Sequence, residues 1–154
     1  MKKWAIGCSV FVVLGFVLIA AFGIWLLRVL PVLEASVSAP VVVQQGDEFV
    51  MTVTAANSDR QPIVLDSIDI SDEFLAGFRL VEVQPEPIDT MSIFGMQSWE
   101  FGESVAAGDS IDITFTFQAM QPGQYVGDVD VCNPNQDFTT AIADVLVEVG
   151  TAEE

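Results

Sequence analysis

The sequence contains no histidine, and that absence removes more chemistry than any motif present could add. Ser-His-Asp and Cys-His hydrolases, blue-copper and binuclear copper sites, and histidine-ligated zinc all require an imidazole. Cysteine is nearly absent too. Cys8 and Cys132 are the only two, which excludes a thiolate-only metal site. Basic residues are scarce: Lys2, Lys3, Arg28, Arg60 and Arg79 stand against 22 acidic residues, for a formal net charge of −17. Such a chain lacks the cationic footprint that displaces counterions from nucleic acid, and anionic lipid repels it. The acidity fits solubility or recognition of a basic partner.

What is present begins with an apolar run from Trp4 to Leu27, with no charge between Lys3 and Arg28. As a helix it would cover roughly 36 Å, enough for a hydrocarbon core of about 30 Å with some tilt. The run predicts a cytoplasmic N-terminus over residues 1–3 and a transmembrane helix over 4–30, with 4–27 as its membrane contact. Lys2 and Lys3 precede it and a single Arg28 follows, so the positive-inside rule puts the remainder outside the cytoplasm. A cleaved signal peptide is the rival reading, with small residues at Ala35, Ser36, Ser38 and Ala39. The run exceeds a signal's apolar region of about 7 to 15 residues, and a cut after Ala39 would abut Pro40. A retained single-pass anchor in the cell membrane is therefore expected. Cys8 falls within the span and cannot meet Cys132 across the bilayer. Cys132 then reads as a buried thiol, an intermolecular bridge or a reactive group.

Beyond a short connector over 31–35, period-two alternation takes over. Phe49, Met51, Val53 and Ala55 share one parity; Ile111, Ile113, Phe115, Phe117 and Ala119 share another, as do Tyr125, Gly127, Val129 and Val131. A last strand fits Ala141 to Val149, and weaker ones fit Ser36 to Val43, Ile63 to Ile70, Gly77 to Val83 and Ser98 to Phe101. Turn residues separate them at Gly46, Asn57 to Gln61, Gly108, Pro122-Gly123 and Asn133-Pro134-Asn135. The pattern predicts an all-β fold: an antiparallel Ig-like β-sandwich of seven to eight strands over 36–149, with no soluble helix and a frayed tail over 150–154.

Val53-Thr54-Ala55-Ala56-Asn57, Val105-Ala106-Ala107-Gly108-Asp109-Ser110 leading into Ile111 to Phe117, and Pro122-Gly123-Gln124-Tyr125 carry a likeness. Through them, residues 34–149 resemble the bacterial and archaeal cell-surface immunoglobulin-like modules of the CARDB and DUF11 type. Where those modules usually have Asn-x-Gly, this chain has Asn57-Ser58-Asp59. The resemblance implies an extracytoplasmic adhesive or spacer-like sandwich without chemistry of its own.

Two places could carry function. Asp128, Asp130, Asn133, Asn135 and Asp137 offer five oxygen-bearing side chains within ten residues. They form a calcium candidate, although hard cations want about 6 to 8 oxygens and the spacing is not an EF-hand loop. The stretch from Gln84 to Ser98 is long for a connection and carries Met91, Ile93, Phe94 and Met96 around Gly95. Adaptable methionine beside rigid aromatics suits a partner-docking loop, while the bland alternative is that Phe94 folds back to cover one end of the sandwich. No pair of carboxylates marks a glycosidase cleft. The expected function is non-enzymatic: protein contacts within a membrane or envelope assembly, with other membrane or envelope proteins as partners and no cofactor required. A calcium- or carbohydrate-binding surface module is the alternative.

Overall fold

Alternation decides which side of each strand meets the core. The computed structural model describes residues 32–150 apart from Gln136, within a compact unit that starts at Pro31. The expected membrane helix over 4–30, the cytoplasmic residues 1–3 and the tail from 151 onward lie outside the described residues. Among the described residues no helix is long and apolar enough to cross a membrane.

Among the described residues, ten strands and one helical turn follow in order: β1 (Glu34–Ser38), β2 (Val42–Gln44), β3 (Glu48–Ala56), β4 (Ile63–Ser71), α1 (Asp72–Leu75), β5 (Phe78–Gln84), β6 (Asp89–Ile93), β7 (Met96–Val105), β8 (Ser110–Ala119), β9 (Gly123–Cys132) and β10 (Phe138–Glu148). They build a four-stranded sheet in the order β1-β3-β8-β5 and a six-stranded sheet in the order β2-β10-β9-β4-β7-β6. All pairings are antiparallel except β2 with β10. The sandwich is as expected, but the strand count exceeds seven to eight for two reasons.

The first reason is Pro40. The stretch expected as one strand from Ser36 to Val43 divides: Ser38 still pairs with Thr52 in one sheet, and Val42 already pairs with Leu146 in the other. Proline has no amide hydrogen and cannot extend a ladder, so the chain changes sheets there. The second reason is the stretch from Gln84 to Ser98, which is a loop only over residues 85–88. It forms the β6–β7 hairpin, with Ile93 opposite Met96 and the two-residue turn Phe94-Gly95 between them.

The inward sets pack as expected. Met51, Val53, Ala55, Ile113, Phe115, Phe117, Val129 and Val131 are buried, with Phe49 close behind. Phe49, Phe74, Phe78 and Phe117 crowd one end of the core with ring centroids 4.9 to 6.0 Å apart, and Trp99 meets Phe115 edge-on at 5.1 Å. Such aromatic pairs add roughly 0.5–1.5 kcal/mol each beyond their burial. Tyr125 packs against Phe78 at 5.1 Å and donates its hydroxyl to the Gln121 carbonyl at 3.2 Å. That back-bond resembles the tyrosine corner of Ig-type sandwiches.

Helix α1 was not expected. It plugs the same end with Phe74, which is fully buried. Gly127 makes the plug possible, because a Cβ there would stand 2.1 Å from Ser71 Oγ and 2.8 Å from Phe74 Cβ. A bulge between Leu65 and Ser67 matters equally. It lets Leu65 and Ile68, three residues apart, both reach the core, and so turns Ser67 and Asp69 to the outer face.

Strand polarity fixes the two ends. Glu34 opens β1 opposite Ala56, which in turn sits opposite Ser110, while Phe94 and Gly95 close the hairpin beside Ser71 at the other end. The Gly95 carbonyl accepts the Asp72 amide at 2.9 Å, tying the hairpin to α1.

Candidate functional site

The β6–β7 hairpin gathers the four residues expected at a docking loop. Met91 and Ile93 are exposed and Met96 half-buried, all on the outer side of the six-stranded sheet. Phe94 is 104% exposed. It does not cover the sandwich end; the bland alternative fails because α1 already fills that place with Phe74. The turn has φ of 48° at Phe94 and 84° at Gly95. Two successive positive φ angles match a type I′ turn, whose twist suits a two-residue hairpin and which favours Asn-Gly. An L-residue other than Asn or Asp in the left-handed region costs about 1–2 kcal/mol. This turn therefore spends backbone strain to hold a bulky aromatic fully in solvent.

The calcium candidates are placed on β9 and the connection to β10. Asp128 is exposed, and Asp130 is half-buried with Thr140 donating to its Oδ1 at 2.5 Å. Asn133 is buried and organises the connection: its Oδ1 accepts the amides of Asn135 and Asp137, each at 3.1 Å, and its own amide donates to the Asp137 carbonyl at 2.9 Å. Asn135 is exposed and Asp137 half-buried. Among the described residues no group of three or more His, Cys, Asp or Glu side chains is arranged to hold a metal ion. Asn57 plays a similar architectural part at the same end, donating from Nδ2 to the carbonyls of Gln61 at 2.8 Å and Val105 at 2.9 Å.

A polar cluster that sequence reasoning missed lies between these two places. Asp69 Oδ1 accepts from Ser67 Oγ at 2.9 Å and Ser98 Oγ at 2.5 Å, and the Cys132 thiol faces Oδ2 at 3.6 Å. Ser67 and Ser98 are buried although both lie on the outer face. Cys132 is a free, half-buried thiol. Burial, and then the Asp69 charge, push it up to about 12, so it stays protonated through the neutral range. The buried-thiol reading of Cys132 is the one its surroundings favour. No short motif signals this cluster, because β4, β7 and β9 each contribute one or two of its members and the β4 bulge sets their parity.

An open groove of about 620 Å³ runs beside the β5 and β6 edges, with Leu80, Val81, Glu86, Pro87 and Thr90 along it and Trp99 at its floor. The register shift at Val81 blunts the β5 edge against a further strand.

No protein-family model matches the chain, and none of the curated proteins does. Solved structures do match in fold. A cohesin module from a Clostridium perfringens family 33 glycoside hydrolase aligns at 9% identity and TM-score 0.54, covering 79% of this chain and all of that one. The CARDB domain of a Pyrococcus furiosus protein aligns at 16% identity and TM-score 0.51, covering 76% and 94%. The module CaCohA2 from Clostridium acetobutylicum aligns at 19% identity and TM-score 0.51, covering 76% and 91%. The chain is thus an Ig-like β-sandwich with a CARDB-like resemblance, and at these identities the likeness is one of fold.

Proposed function

We propose that this chain is a non-enzymatic, single-pass membrane protein whose outward Ig-like module makes protein contacts in a membrane or envelope assembly. The observation that carries the reading is Phe94, held in left-handed backbone and fully exposed between Ile93 and the Gly95 of the turn. Folding gains nothing from a phenylalanine there, and a pocket in a partner protein does. Asp72 and Glu73, both exposed on α1 beside the hairpin, favour a pocket with a basic rim. The likeness to cohesin and CARDB modules supports a contact role by analogy of fold only. The anchor rests on the sequence: an apolar run with Lys2 and Lys3 on one flank.

Two measurements test the parts separately. Phe94→Asp is expected to release a partner that co-purifies with the intact protein in mild detergent while leaving the thermal midpoint no lower than that of the parent protein; a partner retained by the variant removes the hairpin from the contact. Alkaline carbonate washing of native membranes is expected to leave the protein in the pellet, and its release into the wash would refute the anchor.

A further inference from the structure

The two solvent faces of the sandwich differ in a way that folding does not require. Thr52, Thr54, Thr114 and Thr116 occupy the middle of the four-stranded sheet's outer face. Val50 is the large hydrophobic exposed beside them, whereas the six-stranded sheet exposes Phe138, Ile142 and Leu146 on β10, Val126 on β9 and Val42 on β2, with Asp128 and Asp144 among them. Met91 and Ile93 are exposed at its opposite margin. Between these two apolar groups runs a polar row, termed the trough, where Ser98, Asp69, Asp130 and Thr140 stand in register across β7, β4, β9 and β10.

Asp69 and Asp130 are directly opposed, and like charges in that position repel. Their hydrogen-bond donors are neutral: Ser67, Ser98 and the Cys132 thiol for Asp69, and Thr140 for Asp130. The two arginines of the module are placed elsewhere. Arg60 lies in the β3–β4 connection, and Arg79 lies on β5 in the other sheet, donating to Gln118 Oε1 at 2.6 Å. The trough thus holds two opposed carboxylates with no cation of the module on that face, set between exposed apolar side chains.

We propose that the outer face of the six-stranded sheet docks a protein partner presenting an arginine or lysine flanked by apolar side chains. The cation seats between Asp69 and Asp130, and its apolar neighbours rest on the Ile142 and Val126 bank and on the Met91 margin. A guanidinium suits the place best, since its planar fork can serve two carboxylates at once. A second copy of this chain is a poor occupant, because face-to-face pairing would set acids against acids. The proposal rests on the reading above only in that the partner is a protein; its centre at Asp69 and Asp130 lies apart from Phe94 at the hairpin tip, although its margin takes in Met91 of β6.

The test uses the full chain in an uncharged detergent at low salt, titrated with acetyl-Ile-Arg-Ile-Arg-Ile-amide and with the same peptide carrying neutral citrulline for arginine. Saturable amide-shift changes are expected around Asp69, Asp130 and Ile142, and are expected to vanish with the citrulline peptide. Affinity is expected to fall about tenfold in Asp130→Asn and in Asp69→Asn, and to hold in Asp112→Asn on the opposite face. Shifts spread over both sheets, or unchanged affinity in both trough variants, overturn the proposal. Concentration-dependent shifts on this face without peptide assign it to a second copy and overturn it equally. Because the readout does not involve the hairpin, failure here leaves the reading of Phe94 standing.

Discussion

Asp69 shows how much one carboxylate can organise. Two serines donate to one of its oxygens, the Cys132 thiol faces the other, and the thiol is pushed up to about 12 by burial first and by the Asp69 charge second. A raised thiol pKa means that the folded form keeps a proton the unfolded chain would shed. The associated stability is present below the ordinary pKa near 9 and is lost as pH climbs from there toward 12. In a Cys8→Ser background at pH 8, iodoacetamide is expected to label Cys132 about a hundredfold more slowly in the native protein than in urea. Asp69→Asn is expected to speed the native reaction, since it removes the second cause of the shift. A second residue-scale prediction concerns Gly127, where an added methyl group would strike Ser71 Oγ and Phe74 Cβ. Gly127→Ala is expected to cost about 1–3 kcal/mol in urea unfolding. Neither residue's role is legible from its neighbours in sequence. Asp69 acquires its partners through strand register, and Gly127 through a helical turn that follows a different strand.

Among the elements, the alternating strands were readable, including β4 with its bulge and the seven-residue β5, whereas the one-turn helix, the break at Pro40 and the β6–β7 hairpin were not. β3, β8 and β9 announce their buried faces through period two, because each runs nine or ten residues with one side against the core. α1 has four residues, too few for a helical period to emerge. The β6–β7 hairpin hid for another reason: its turn is Phe94-Gly95, and phenylalanine is not a residue that marks a type I′ turn. The same mismatch yields a prediction with two opposite signs. Phe94→Asn installs the preferred residue at the first left-handed position and is expected to stabilise the protein by about 1 kcal/mol. It is also expected to abolish the contact made by the hairpin, so that the stability measured in urea and the yield of co-purified partner move in opposite directions. A phenylalanine that only stabilised the turn would give a loss in both.

Across the whole molecule, charge is the least balanced quantity. With a formal net charge of −17, self-repulsion opposes the compact state and salt relieves it. Raising sodium chloride from ~20 mM to ~500 mM is expected to raise the thermal midpoint by a few degrees; a fall would mean that attractive ion pairs outweigh the repulsion. The sandwich class was visible at this scale from alternation and turn spacing together, whereas the division into four and six strands depends on where Pro40 sends the chain from one sheet to the other.

Strand polarity carries a mechanical consequence. The chain enters the sandwich beside Glu34, and the hairpin tip projects from the opposite end, about 30 Å away for strands of nine or ten residues at ~3.3 Å each. Tension applied between the entrance and a partner gripping Phe94 runs along the strands, so the hydrogen bonds of β1 to β3, which lie across that direction, are loaded together in shear instead of being peeled one by one. A force that arrives through the tip thus meets the sandwich along its most resistant axis.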